Sequence, residues 1–138
     1  MNGRGRRSGR TFSTIRELPG MKLNHLNLTV TEPLETKAFL KKHFGFRDLE
    51  GAKDVKGFAM ALDDNGLVLT LIKGRQGTEV VYPETFHVGF IQESEERVNE
   101  INARLREDGY DVPPPARMHG SWTFYFTAPG GFMVEVLA

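Results

Sequence analysis

The feature that most constrains the fold of this chain is an internal repeat. Two segments, about residues 21–74 and 84–138, show the same order of predicted elements: strand, helix, strand, strand, strand. The first strand of each half alternates apolar and polar residues, over Met21–Val30 and Thr85–Ile91, which is the period of a half-buried strand. The other strands are predicted near Phe46–Glu50, Gly57–Leu62, Leu67–Lys73, Tyr110–Val112, Ser121–Thr127 and Phe132–Leu137.

Helix and turn signals separate these strands. The first helix is predicted to start after a Thr31 cap, with Pro33 in its first turn, and to end at Gly45. The second runs from about Ser94 to Asp108 and ends at Gly109. Apolar residues at helical spacing predict the buried stripes, which are Leu34, Ala38, Phe39 and Phe44 in the first helix and Val98, Ile101 and Leu105 in the second.

A repeat of this kind defines a fold class before any motif is considered. It predicts an α+β protein in which two βαβββ modules form one open, cleft-shaped mixed sheet with the helices outside. The corresponding domain division is a tail over residues 1–20 and a domain over residues 21–138, with modules at 21–74 and 84–138.

Composition narrows the class of function. The 138 residues have a formal net charge of +0, so no global field favours nucleic acid or a membrane surface as the main partner. There is no cysteine, which excludes disulfides, thiolate metal sites and thiol nucleophiles. No apolar run approaches the ~20 residues of a membrane helix. We therefore expect a cytoplasmic protein that acts on a small molecule.

The first 20 residues differ from the rest. They hold five arginines against one acid, Glu17, and are rich in Gly and Ser. This composition is typical of a basic flexible tail. An organelle transit peptide and a nucleic-acid-binding arm are the alternatives.

Three residues carry the strongest chemical signal. His25 and His87 occupy matching positions in the two first strands, each on the face opposite its aliphatic residues. Glu135 interrupts the apolar strand FMVEVL, where a carboxylate is costly unless it is paired or bound to a cation. Two imidazoles and one carboxylate on one sheet face suit Fe²⁺ with open positions, and also Mn²⁺ or Zn²⁺. The alternative is that each residue is structural, with Glu135 facing solvent or paired with an arginine.

The other two histidines give weaker signals. His43 follows two lysines at the end of the first helix, where a cation is mildly favoured. His119 lies in the loop RMHGSW before the seventh strand. It is interpreted either as an exposed loop residue or as an acid–base group close to the metal.

The stretches KLNHLNLTV, FHVGF and FYFTAPGGFMVEVL resemble the vicinal oxygen chelate superfamily, also called the glyoxalase, bleomycin-resistance and extradiol-dioxygenase superfamily. The resemblance covers about Met21–Ala138. It implies that His25 and His87 are first-strand metal ligands and that Glu135 is a fourth-strand ligand. The remaining fourth-strand position falls at Thr70, which is a poor ligand for a divalent metal.

That position separates branches of the superfamily. Glyoxalase I and related isomerases place Glu or Gln there, so Thr70 favours the two-His-one-Glu set of the extradiol dioxygenases and fosfomycin-resistance thiol transferases. The transferases have a Lys in the loop that here holds Pro115. The extradiol signature is similar to the run from Phe124 through Tyr125 and Pro129 to Glu135, although the gap from His119 to Phe124 is one residue short.

The resemblance then implies roles for the remaining residues. Tyr125 would donate a hydrogen bond to the substrate and His119 would shuttle a proton. Residues on the same faces would contact substrate, namely Asn27, Thr70, Ser121 and Thr123.

The sequence therefore predicts a metal-dependent enzyme of dioxygenase type, acting on a small oxygen-chelating substrate with one divalent metal. Fe²⁺ is the first choice, with Mn²⁺, Zn²⁺ or Ni²⁺ as alternatives. A lyase, isomerase or thiol transferase on the same fold, or a non-catalytic drug- or metabolite-binding protein, are the alternative functions. Short members usually form homodimers, and the cleft is built either within one chain or across two, in which case His25 shares a metal with His87 and Glu135 of the partner.

Overall fold

The computed structural model describes residues 17–76 and 78–138, and predictions for residues 1–16 lie outside this part of the chain. Within it the protein is α+β, with two helices and seven strands in two mixed sheets. None of the helices described there is long and apolar enough to cross a membrane. The predicted fold class and the repeat of two modules are confirmed.

The first module contains β1 (His25–Val30), α1 (Pro33–Phe44), β2 (Phe58–Leu62) and β3 (Val68–Lys73). Its sheet has the order β1-β3-β2, with β1 parallel to β3 and β2 antiparallel to it. The strand predicted near Phe46–Glu50 is reduced to one isolated bridge between Arg47 and Leu62. A run this short makes too few backbone hydrogen bonds to form a fourth strand.

The second module contains β4 (His87–Ile91), α2 (Glu95–Glu107), β5 (Ala116–Met118), β6 (Ser121–Thr127) and β7 (Met133–Leu137). Its sheet has the order β4-β7-β6-β5. The strand predicted at Tyr110–Val112 is wrong, because β5 lies after the Pro-rich segment and pairs with β6 through a two-residue turn. The central residues of that turn, His119 and Gly120, have φ of 52° and 80°, as a type I′ hairpin requires.

The ends of the helices follow the predicted signals with one exception. Ser94 caps α2 by accepting a hydrogen bond from the backbone N–H of Arg97. Gly45 ends α1 with φ of 67°. The predicted Thr31 cap is wrong, since Glu32 is the N-cap of α1 and makes no side-chain capping bond.

The buried face of α1 also differs from its predicted stripe. Leu34 and Ala38 are exposed, whereas Phe39 is buried as expected. His43, predicted to decorate the helix end, is buried against Phe39 and Tyr110, with Nε2 2.9 Å from Asp108 Oδ2. The buried face of α1 therefore includes polar side chains that the apolar stripe did not predict. The buried α1 residues are Pro33, Thr36, Lys37, Phe39, Leu40 and His43.

The two modules share one hydrophobic core. Aromatic rings cross between them, for example Phe44 and Phe90 with centroids 4.6 Å apart. The turn before β7 also meets the first module, where the N–H of Thr31 donates to the carbonyl of Gly130. Each module contributes one sheet, of three strands in the first and four in the second, and no ladder joins β1 to β4.

Candidate metal centre

The exposed faces of β4 and β7 bring His87 and Glu135 together. Both strands alternate as predicted, with Val134 and Val136 fully buried and Glu135 on the other face. The parallel register places Gly89 opposite Glu135, on the strand that also carries His87. His87 Nε2 lies 3.3 Å from Glu135 Oε2.

The other nitrogen of His87 fixes its tautomer. Nδ1 lies 2.9 Å from the backbone carbonyl of Thr85, which can only accept, so Nδ1 carries the proton. Nε2 then offers a lone pair toward Glu135. Two acceptors that converge in this way need a proton or a cation between them.

His25 has an equivalent arrangement in the other module. Its Nδ1 lies 3.1 Å from the side-chain oxygen of Asn24, which leaves Nε2 unpaired for a ligand. Neither Asn24 nor Thr85 was singled out from the sequence. Their position just before each histidine was the only available signal.

Glu135 is held in place by the neighbouring strand β6. The hydroxyl of Thr123 is 2.9 Å from Glu135 Oε1 and 3.0 Å from the carbonyl of Val136, and its single proton serves one of them at a time. Thr123 is 1% exposed. It therefore orients the carboxylate from a buried position, and its predicted contact with substrate stays a prediction.

Tyr125 completes the cluster. It is the register partner of Glu135, and its ring meets His87 edge-on with centroids 5.4 Å apart. Burial raises the pKa of the Tyr125 phenol, and its closeness to the Glu135 carboxylate raises it further. The phenol is protonated at neutral pH and is able to donate a hydrogen bond.

Other predicted site residues lie apart from this cluster. Thr70 pairs with Asn27 across β3 and β1, and its hydroxyl donates to Asn27 Oδ1 over 2.8 Å. Ser121 begins β6, and His119 lies at the hairpin tip beyond it. Four residues of strand separate Ser121 from Tyr125, which is about 13 Å, so the tip is remote from Glu135.

Within one chain the predicted triad is incomplete. Among residues 17–76 and 78–138, no three His, Asp or Glu side chains come close enough together to hold a metal ion. His25 lies in the three-stranded sheet, whereas His87 and Glu135 lie in the four-stranded one. The structure therefore assembles two of the three predicted ligands.

A groove of about 710 Å³ between the modules lies elsewhere, along the β4 edge and α2. Neither His87 nor Glu135 lines it. Two of its cations already have partners, since Arg97 pairs with Glu100 and Arg104 donates to the carbonyl of Lys42. The chemistry of the sheet face, and not the size of this groove, identifies the candidate site.

Comparisons with known proteins agree on one family. A model described as Glyoxalase/Bleomycin resistance protein/Dioxygenase superfamily matches residues 22–136. A structure titled "possible Glyoxalase" from Bacillus cereus is 48% identical, covers 86% of this chain and 100% of its own, and has a TM-score of 0.77. No curated protein matches the sequence at a significant level.

More distant structures share the fold. A lactoylglutathione lyase from Agrobacterium tumefaciens is 18% identical, covers 87% of this chain and 95% of its own, and has a TM-score of 0.67. The oxidase ChaP-H2 is 22% identical, covers 86% and 93%, and has a TM-score of 0.64. Proteins with different named activities thus share this architecture.

Proposed function

The chain belongs to the Glyoxalase/Bleomycin resistance protein/Dioxygenase superfamily, and from that premise we propose that it is a metal-dependent enzyme. Its chemistry would be of dioxygenase type, on a small substrate that chelates the metal through two oxygens. The observation that carries the proposal is the convergence of His87 Nε2 and Glu135 Oε2 at 3.3 Å, with Nδ1 of His87 already committed to a backbone carbonyl.

The proposed ligands are His25, His87 and Glu135. Two neutral imidazoles and one carboxylate suit Fe²⁺, our first choice, and also Mn²⁺, Zn²⁺ or Ni²⁺. Three protein ligands leave positions open for substrate. When bound, the metal would stabilise negative charge on the substrate oxygens and so favour its ionised form.

We propose that a second copy of the chain completes the set. β1 and β4 are both edge strands, and each begins with its histidine on the exposed face. Two copies that face β1 toward β4 would place His25 of one beside His87 and Glu135 of the other. A homodimer arranged in this way contains two equivalent sites.

The chain's own residues supply the remaining chemistry. Tyr125 is a protonated donor next to Glu135 and would hydrogen-bond a substrate oxygen. Thr70 donates to the Asn27 oxygen, which leaves the Asn27 amide group free to donate to substrate from the other module. Ser121 would contact substrate at the start of β6, and proton transfer by His119 remains a prediction.

An isomerase or lyase reaction is the second candidate. The name "possible Glyoxalase" carried by the 48%-identical structure favours it. Thr70 weighs against it, because it occupies the position equivalent to Glu135, where such enzymes need a carboxylate or amide. Oxygen uptake with catechol-type substrates, compared with isomerisation of an aldehyde–thiol adduct, separates the two candidates.

The decisive experiment is metal analysis of wild type, His25→Ala and His87→Ala after reconstitution with Fe²⁺. We expect about one metal per chain in the wild type and much less in either variant. Unfolding and refolding the two variants together should restore about a quarter of the wild-type metal, because half of the dimers are mixed and each mixed dimer has one intact site.

Each outcome has a distinct meaning. A mixture that binds no metal, beside a wild type that does, would place the whole site within one chain. A wild type that takes up no metal would remove the enzyme proposal and leave a ligand-binding protein.

A further inference from the structure

The face of the first sheet that points away from the core is itself largely apolar. On β2 and β3 the alternate residues Ala59, Ala61, Leu69 and Leu71 are fully buried. The intervening side chains lie on the opposite face, half-buried or exposed, although most are large and apolar. This set, called here the apolar wall, is Phe58, Met60, Leu62, Val68 and Ile72.

The wall is continuous with the first-module part of the candidate site. Strand register gives three rows across the sheet: His25 with Val68 and Leu62, then Asn27 with Thr70 and Met60, then Thr29 with Ile72 and Phe58. Each row starts with a polar residue on β1 and ends with an apolar one on β2. The distance from β1 to β2 is about 10 Å, two strand spacings.

The corresponding face of the second sheet is mixed. It carries the polar groups of Glu135, Tyr125, Ser121 and His87, together with the apolar side chains of Met133, Leu137 and Ile91. In the strands of both modules, no lysine or arginine lies on these faces. Arg117 points to the opposite side of its sheet, over the ring of Trp122, and Lys73 pairs with Glu32.

We propose that the substrate has a chelating, oxygen-bearing head and an uncharged apolar body, and that the wall binds this body. The proposal rests on the metal-dependent function above. Burial of the body against Met60 and its neighbours is favourable because apolar surface leaves water. A body carrying phosphonate or several carboxylates would lose its hydration without finding a cation on either sheet face.

Alkyl hydroxamates test this directly, because they share one chelating head and differ only in the body. Affinities of the reconstituted, metal-loaded dimer would be measured by calorimetry for acetohydroxamate, butanohydroxamate and octanohydroxamate. We expect about a fourfold gain per buried methylene, and so on the order of 4,000-fold between the first and the last, which differ by six methylenes. Succinate monohydroxamate, with a terminal carboxylate, should bind more weakly than butanohydroxamate.

A matched pair of variants locates the body on the wall. Met60→Lys places a cation at the centre of the wall, and should reduce octanohydroxamate affinity at least tenfold while strengthening the binding of succinate monohydroxamate. Leu34→Lys introduces the same charge at an exposed apolar residue on α1, away from the wall, and should leave both affinities unchanged. Thermal unfolding of both variants checks that they fold.

The outcomes separate this inference from the function it rests on. Metal uptake with equal affinity for all three alkyl hydroxamates would overturn the inference and leave the function standing. Failure to take up metal removes both, and the metal analysis alone identifies that case. A fall in molecular mass caused by Met60→Lys, without any chain-length dependence, would show that a second copy covers the wall, and would also overturn the inference.

Discussion

Replacing Gly130 with alanine should weaken the contact between the two modules. Gly130 has φ of 104°, in the turn between β6 and β7. A Cβ at this position would lie 2.7 Å from Thr36 Oγ1 and 3.0 Å from Val30 Cγ1, both in the first module. The variant therefore tests a backbone constraint and an intermodule contact together.

The adjacent glycine separates the two effects. Gly131 has φ of 100°, nearly the same, but its Cβ would meet nothing closer than 3.6 Å, at Val80 Cγ1. Gly131→Ala should thus cost only the conformational penalty, about 1–2 kcal/mol. Gly130→Ala should cost that and a further ~1–3 kcal/mol for overpacking, because Thr36 is fully buried and its hydroxyl is held by the carbonyl of Glu32.

Urea unfolding followed by the fluorescence of Trp122, the single tryptophan, measures both free energies at one protein concentration. A double-mutant cycle with Thr36→Ala identifies the clash, since removing Oγ1 should make Gly130→Ala less costly by about 1 kcal/mol or more. Equal losses for Gly130→Ala and Gly131→Ala, or no change in the Thr36→Ala background, would refute the packing argument.

Three further predictions concern polar side chains. Burial lowers the pKa of His43 from 6.5, although Asp108 raises it, so the unfolded chain binds this proton more readily and the free energy of unfolding should fall as pH drops below about 6.5. A His43→Phe variant should lose this pH dependence in urea titrations between pH 7.5 and 5. An unchanged slope would contradict the prediction. His119 has φ of 52° at an exposed hairpin tip, so His119→Asn should stabilise the fold by about 0.5 kcal/mol in thermal unfolding, and a lower Tm would argue against strain. Thr123→Val removes the hydroxyl that orients Glu135 and should lower metal affinity about 10- to 100-fold in chelator competition. Thr123→Ser keeps the hydroxyl and should retain the metal affinity. An equal loss in both variants would point to packing instead.

The parts of the fold that follow from local periodicity were predictable. Alternation places His25, His87 and Glu135 on exposed faces, and this depends only on neighbouring residues along each strand. The pairing of Tyr125 with Glu135 also follows locally, because the short turn from Ala128 to Gly131 sets the register of β6 against β7.

The parts of the fold that depend on residues distant in the sequence could not be predicted. Lys37 is buried on α1 because Asp48 and Asp54, in the following loop, neutralise it, and a hydrophobic stripe cannot anticipate this. The strand predicted near Phe46–Glu50 was also wrong, because Arg47 forms only one isolated bridge, to Leu62. The relation of His25 to His87 could not be predicted either, because the strands that carry them belong to different sheets.

The two edge strands have a consequence for self-assembly. β1 and β4 each lack a strand partner on one side, a template on which another chain can add, although the outward carbonyl of Thr29 in β1 already accepts from the phenol of Tyr82. In the proposed dimer, reciprocal pairing of β1 with β4 would use all four of these edges. A copy joined through a single edge leaves the other edge open to a third chain, so the association that is not closed by symmetry extends into a filament. The same pair of edges would thus serve both the proposed dimer and the route by which a damaged chain would polymerise.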